Sequence, residues 1–263
     1  MKSGLLLLAG ALCLAFFLSA GCTGTGGGAD LSSLTYVTED YPPYNYMDNG
    51  SVTGIAVDIL KEIAADAGTP IPAGKIRMMK WDEAYNTALS TPNTVIFSIT
   101  RLPGREADFK WAGPFTTQKM VLFAPKSSSI TINGPEDLKN YTIGVVTNDA
   151  AIGQLKALGV PQKNMLADQD PAVIIKSLQD GRIDLWCYGQ EAGMIAARKA
   201  TGSASFMEPV YTLDCYDLYY AFNRNTPDSV VALFQQGLDS VIAGDNQSGT
   251  STYEEILKRH VSS

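Results

Sequence analysis

Residues 94–105 read TVIFSITRLPGR. Thr94 to Ile99 is a continuous apolar run, the pattern of a strand covered on both faces. Pro103 and Gly104 end it in a turn and leave Arg105 just beyond the strand. A guanidinium placed there can grip a carboxylate through two parallel hydrogen bonds, and it stays charged at any physiological pH. The alternative is a surface ion pair with Glu106 or Asp108. Outward from this stretch, strand-like and helix-like segments alternate. LTYVT (34–38), KMVLFA (119–124), YTIGVV (141–146), IDLWCY (183–188) and DLYYAF (217–222) predict strands. Apolar residues at 57, 59, 60, 63, 64 and 67 fall on one helical face that stops at Gly68. Asp170-Pro171 caps a helix, Thr226-Pro227 opens a longer one, and Ser251 with Glu254 forms a capping-box pattern for a last one. Such alternation predicts an α/β protein with mostly parallel sheets, and with strands enough for two of them.

The amino-terminal residues have another character. Lys2 precedes an uncharged, largely apolar run from Leu5 to Leu18, followed by Ser19, Ala20, Gly21 and Cys22. This is the layout of a secretory signal over residues 1–21. SAGC resembles a lipoprotein cleavage box, although Leu18 stands one place further from the cysteine than usual. The reading is a lipid attached to Cys22 and a flexible tether over 22–33, which carry TGTGGGAD; the alternatives are an ordinary signal cut near Ala20 and an uncleaved anchor. The apolar run is shorter than the ~20 residues that span a bilayer. The remainder of the 263-residue chain suits one large or two ordinary domains.

The chain has 27 acidic against 20 basic side chains, net −7, and loss of Lys2 makes it one unit more negative. An acidic surface argues against nucleic acid or anionic lipid as partners. Cys187 and Cys215 are the cysteines left after Cys13 and Cys22, in a compartment that permits disulfides. A bond between them is expected, worth roughly 3–4 kcal/mol by loop entropy; two free thiols are the alternative. Two cysteines and a single His260 offer no metal-ligand cluster, and no cofactor is called for.

Three stretches carry a resemblance: YPPYNYMDNGSVTGIAVDILKEI (41–63), SITRLPGREADFKWAGPF (98–115) and LQDGRIDLWCYG (178–189). Their order and spacing resemble the extracellular solute-binding proteins of bacterial family 3, which serve polar amino-acid uptake. The resemblance implies a two-lobed periplasmic-binding-protein-like fold of type II, with two crossing hinge strands and ligand in the cleft. Lobe 1 would then hold residues 34–116 and 224–263, and lobe 2 residues 117–223. It implies aromatic walls at Tyr41 and Trp81, a carboxylate grip by Arg105 five residues after Thr100, and a backbone contact from Ser98. Pro42 and Pro43 independently make YPPYNY a rigid loop, and loops at strand carboxyl ends are where open α/β sheets place ligands. Thr147, Asn148 and Asp149 could contact ligand at a helix start or simply cap it. The pattern departs at Gly189, where the family places the aspartate that holds the ligand ammonium. Tyr188 then becomes a candidate wall, and Glu191 the acid that could substitute.

The resulting reading is a lipid-anchored, monomeric binding protein on the extracytoplasmic face. It would deliver a small carboxylate-bearing solute, an amino acid first, to the permease subunits of an ABC importer. A sensor module for a signalling partner is the second reading and a dehydratase-like enzyme the third. Little supports catalysis: His260 lies far from the motifs and reads as a surface residue, and Glu191 and Asp149 have no evident partner.

Overall fold

A computed structural model describes residues 30–72, 74–244 and 250–261. The signal, Cys22 and most of the tether lie outside the described residues. The folded body starts earlier than the tether reading allows. Leu31–Ser33 forms a 3-10 turn capped by Asp30, and Leu31 is wholly buried.

Among the described residues one mixed sheet runs through the molecule. Its strands are β1 (Thr35–Thr38), β4 (Ile76–Met78), β5 (Thr94–Thr100), β6 (Phe109–Pro125), β7 (Ile143–Val146), β8 (Met165–Asp168), β9 (Leu185–Gly189) and β10 (Met207–Asn223), in the order β4-β1-β5-β10-β6-β9-β7-β8. A hairpin, β2 (Tyr46–Asp48) with β3 (Ser51–Thr53), stands apart. Pairings within each end of the sheet are parallel, as the apolar runs of β5 and β7 predict. Every antiparallel pairing of the large sheet involves β6 or β10.

Those two strands make the architecture two-lobed. KMVLFA and DLYYAF are each one end of a 17-residue strand, roughly 55 Å long at about 3.3 Å per residue. They pair antiparallel from Phe109 opposite Asn223 to Pro125 opposite Met207, so both crossings pass side by side. Their outer halves contain polar residues, Pro114 and Pro209, and three register shifts, which hides them from an apolar-run search. Phe97, Phe115 and Phe234 pack around Tyr220 at this crossing, with centroids 4.7–5.9 Å apart.

At one end, α1 (Ile55–Asp66) buries Ile55, Val57, Ile59, Leu60 and Ile63, and α2 (Trp81–Ser90) buries Trp81 and Ala84. After β10 the chain returns there as α6 (Asp228–Ala243) and α7 (Thr252–Val261). The other end carries α3 (Ala150–Ala157), α4 (Pro171–Gln179) and α5 (Gln190–Thr201). Asp170 caps α4 with Pro171 in its first turn. Ser251 Oγ accepts from the Glu254 amide at 3.1 Å, the capping contact expected for α7.

Two sequence expectations fail. Cys187 and Cys215 are free thiols. β6 lies between their strands, which puts those strands roughly 9–10 Å apart. The cysteines are also offset along β6, opposite Leu122 and Lys119 respectively. A disulfide needs Cα atoms within about 7 Å. His260 is not a surface residue: it is 8% exposed, with Nε2 2.9 Å from Asp58 Oδ2 and Nδ1 3.1 Å from the Tyr46 hydroxyl. It pins α7 onto α1 and β2.

Candidate functional site

The cleft lies where β5, the loops after β1 and β7, and the middle of β6 meet. Four local features build it. The Tyr41–Asn45 loop is seated on the first turn of α1, because Gly54 at φ +126° brings the backbone against Tyr44 and Asn45; a Cβ there would lie 2.8 Å from the Asn45 nitrogen. Ser98 is a bulge in β5: its neighbours pair with Tyr219 and Tyr220, and it is left over at φ +61°. Bulges re-aim a residue out of the ladder and recur beside functional sites. Its hydroxyl donates to Asn45 Oδ1. Pro103–Arg105 forms a 3-10 turn that folds Arg105 back over the end of β5. Asn148 takes φ +61°, which asparagine tolerates better than most residues, and this turns its carbonyl toward the opposite lobe.

Arg105 joins the two halves. It is 9% exposed. Nη1 donates to the Thr100 carbonyl at 3.2 Å and Nη2 to the Asn148 carbonyl at 3.3 Å. Its guanidinium carbon lies 5.4 Å from the Trp81 ring centroid and 5.3 Å from that of Tyr85. Trp81 Nε1 donates to the same Asn148 carbonyl at 3.2 Å. At the rim, Lys199 pairs with Asp40 at 2.5 Å, and Gln169 bridges Lys80 (3.2 Å) and Asp82 (2.6 Å). The lobes are closed on one another.

Two cavities occupy the closed cleft. The inner one, about 20 Å3, is lined by Tyr41, Trp81, Ser98, Thr100 and Arg105 with Glu39, Gln118 and Asp149. That is room for on the order of one water. The outer one, about 450 Å3, has Met78, Met79, Pro42 and Trp81 on one wall and Pro171, Ile175 and Ala196 on the other. That volume lies within the usual range of ligand pockets, about 300–1,000 Å3. Glu39 and Trp81 line both.

The inner cavity is electrostatically tense. Burial pushes the Glu39 carboxyl well above the ordinary carboxylate range; Asp149 and Asp40 add to this and Arg105 opposes it. Burial also raises Asp149, against the lowering by the Ala151 amide and by Arg105. Burial lowers Arg105, against the pull of Asp149 and the Tyr85 ring. Desolvation disfavours every charge here, and the charges that remain partly compensate one another.

Tyr41, Trp81, Ser98, Thr100 and Arg105 therefore converge. Asn148 joins through its carbonyl, while its side chain is exposed. Tyr188 does not form a wall: it is 2% exposed, stacks on Trp186 at 4.8 Å and meets Tyr41 edge-on at 5.2 Å, behind the cavity. Glu191 is exposed in the first turn of α5 and lines neither cavity. Asp149 caps α3 through the Ala151 amide at 2.7 Å, the capping role the sequence allowed. Arg101, not Arg105, makes the ion pair with Glu106. Sequence reasoning missed Glu39 and Gln118. Glu39 is signalled only by its place two residues before Tyr41, and Gln118 lies in the polar middle of a strand that did not read as one.

The space beside Gly189 is taken. A Cβ there would collide with the Tyr41 hydroxyl and lie 2.8 Å from Gln118 Oε1. Tyr41 donates to Gln118 in that place.

Over residues 34–259 the sequence matches the bacterial extracellular solute-binding proteins, family 3. The chain belongs to that family. The arginine-binding extracellular protein ArtP of Bacillus subtilis (strain 168) is 30% identical over 149 residues, 55% of this chain and 56% of that protein. The L-cystine-binding protein TcyJ of Escherichia coli (strain K12) is 27% identical over 163 residues, 60% of this chain and 59% of that protein. The match thus spans less than two thirds of either relative. A solved histidine kinase sensor domain with similarity to periplasmic binding proteins superposes with a TM-score of 0.76 at 22% identity, covering 88% of this chain and 97% of that one. At that identity it speaks for the two-lobed fold alone. Family 3 membership places the protein outside the cytoplasm. Among the described residues no helix is long and apolar enough to cross a membrane.

Proposed function

We propose that this family 3 protein binds an amino acid between its lobes and delivers it to the permease of an ABC importer, without bond chemistry of its own. The observation that carries this reading is Arg105. It is a buried guanidinium at the lobe junction that donates to two backbone carbonyls, one from each side, with the Tyr85 hydroxyl beside it. Those carbonyls are neutral acceptors. A ligand carboxylate would offer both oxygens to the planar fork, and charge-assisted pairs are shorter and roughly twice as strong. The inner cavity is too small for such a group while Arg105 holds Asn148, so ligand entry needs the lobes to part. Closure then follows because ligand touches both lobes only in the closed form. Its body would lie in the outer cavity, against Trp81. On this reading residues 34–116 with 224–263 move as one lobe and 117–223 as the other, about β6 and β10. Cys22 would carry the lipid that holds a monomer to the membrane face. Relatives named for arginine and cystine binding support an amino acid as the ligand class.

The test is a thermal-shift screen of amino acids and simple carboxylates on the purified protein, followed by calorimetry on Arg105→Ala. Truncating one partner of a buried charged pair costs about 2–5 kcal/mol, at least thirtyfold in Kd. Arg105→Ala binding within threefold of wild type, with the variant folded, would sink the site.

A further inference from the structure

We propose that Glu39 receives the protonated amine of the ligand, in place of a carboxylate at position 189, and that the outer cavity takes an uncharged, largely apolar side chain. The inference rests on the carboxylate reading of Arg105 and names the ligand class for the same cleft.

Three observations meet at Glu39. The first is steric: position 189 is closed to any side chain by Tyr41 and Gln118. The second is a census of acids at the cleft. Asp40 pairs with Lys199 through Oδ2; its Oδ1 is buried without a partner among the described residues, and Asp40 lines the outer cavity alone. Asp149 caps α3, and Asp170 caps α4 through the Ala172 amide at 2.9 Å. Glu39 lines both cavities, and its carboxylate makes no hydrogen bond or ion pair among the described residues; its backbone carbonyl, by contrast, accepts from Asn45 Nδ2 at 2.6 Å. The third is charge. Glu39 and Asp149 face a single cation, Arg105, in the inner cavity. A ligand bringing only a carboxylate would add a third acidic group beside that single cation, where burial already disfavours charge on the two present. A zwitterion brings its own compensation, and Glu39, the acid that lines both cavities, is placed to meet its amine.

The same census fixes the side chain. Lys80 and Lys199 also line the outer cavity, Lys199 already sits on Asp40 Oδ2, and Asp170 caps α4. A guanidinium or a second ammonium there would lie beside two cations and would have to share Asp40, whose buried Oδ1 has no partner among the described residues. The walls are Met78, Met79, Pro42, Trp81, Ile175 and Ala196. Methionine surfaces adapt to apolar groups of varied shape. Ligand preference should therefore run to neutral amino acids with bulky apolar side chains, away from the arginine named for ArtP.

The experiment compares leucine, methionine, phenylalanine, arginine and 4-methylpentanoate (leucine without its amine) by calorimetry. The proteins are wild type, Glu39→Gln and Arg105→Ala. Glu39→Gln keeps the shape and loses the charge, and a thermal melt checks folding. The expected result is that wild type prefers a neutral apolar amino acid over arginine at least tenfold. It should also prefer leucine to 4-methylpentanoate at least thirtyfold. Glu39→Gln should erase most of the amine preference while keeping 4-methylpentanoate binding, whereas Arg105→Ala should weaken both. Arg105-dependent binding whose amine preference survives Glu39→Gln overturns the assignment and leaves the carboxylate reading intact. Preference for arginine overturns the side-chain class. Binding that ignores Arg105, or none across the panel, overturns both this inference and the reading beneath it.

Discussion

Gly189→Ala isolates the claim that Tyr41 and Gln118 occupy the place of the family's acid. Gly189 has φ −60° and ψ 134°, which any residue adopts, so the backbone does not require glycine. The added Cβ would overlap the Tyr41 hydroxyl and lie 3.1 Å from Tyr41 Cζ and 2.8 Å from Gln118 Oε1. Tyr41 cannot swing aside: it is 5% exposed and packed between Tyr44 and Tyr188. Overpacking costs about 1–3 kcal/mol, and breaking the buried Tyr41–Gln118 bond roughly 1–3 more. The lower chain entropy of alanine returns about 0.4–1 kcal/mol. The net is a loss of roughly 1–5 kcal/mol in urea unfolding. Tyr41→Phe removes the hydroxyl that collides, at the cost of its bond to Gln118. In that background Gly189→Ala should cost less than about 1 kcal/mol, so the cycle should show coupling of roughly 1.5–3 kcal/mol. Additivity within about 0.5 kcal/mol would refute the argument, because the alanine would then be felt by something other than Tyr41.

Other consequences are open to direct measurement. The carboxyls of Glu39 and Asp149 hold protons more tightly in the closed cleft than in water. Protonation therefore favours closure, and that contribution is lost as pH rises through their closed-state values. Small-angle scattering should find the ligand-free protein more compact at about pH 4.5 than at about pH 7.5, and an unchanged or larger radius at the lower pH contradicts this. Without reductant, a thiol reagent should label exposed Cys215 in the native protein and buried Cys187 only after unfolding; a mass showing neither labelled after unfolding would restore the disulfide. His260→Ala loses contacts to Asp58 and Tyr46. It should cost about 2–3 kcal/mol and raise hydrogen exchange in α7 before α4, and equal exchange in both would deny that His260 pins α7.

The α/β class was legible because it rests on local signals. The run of β5, the apolar face of α1 and the caps of α4 and α7 each announce themselves within a few residues. The long crossing strands were not, because Pro114, Pro209 and the polar stretch around Gln118 read locally as loop. They are strands through pairing with each other across a large sequence separation. The site divides in the same way. Arg105, Tyr41, Ser98 and Thr100 were singled out by the family resemblance, and the fold brings the four to one cavity. Tyr188 was misplaced because sequence cannot say that β9 turns it behind Tyr41. The disulfide failed for a similar reason, since it was inferred from compartment and count while β6 separates the two cysteines. Gly189 was recognised as a departure from sequence; that Tyr41 and Gln118 fill its space, and that Glu39 lines both cavities, are facts of packing.

The most direct test of the account is a crystal structure of the protein with its tightest amino-acid ligand. The account predicts ligand between the lobes, its carboxylate within about 3 Å of both Arg105 terminal nitrogens and its side chain against Trp81 in the outer cavity. Ligand bound elsewhere, or bound in the cleft with Arg105 still donating to the Asn148 carbonyl and touching no ligand oxygen, would contradict it.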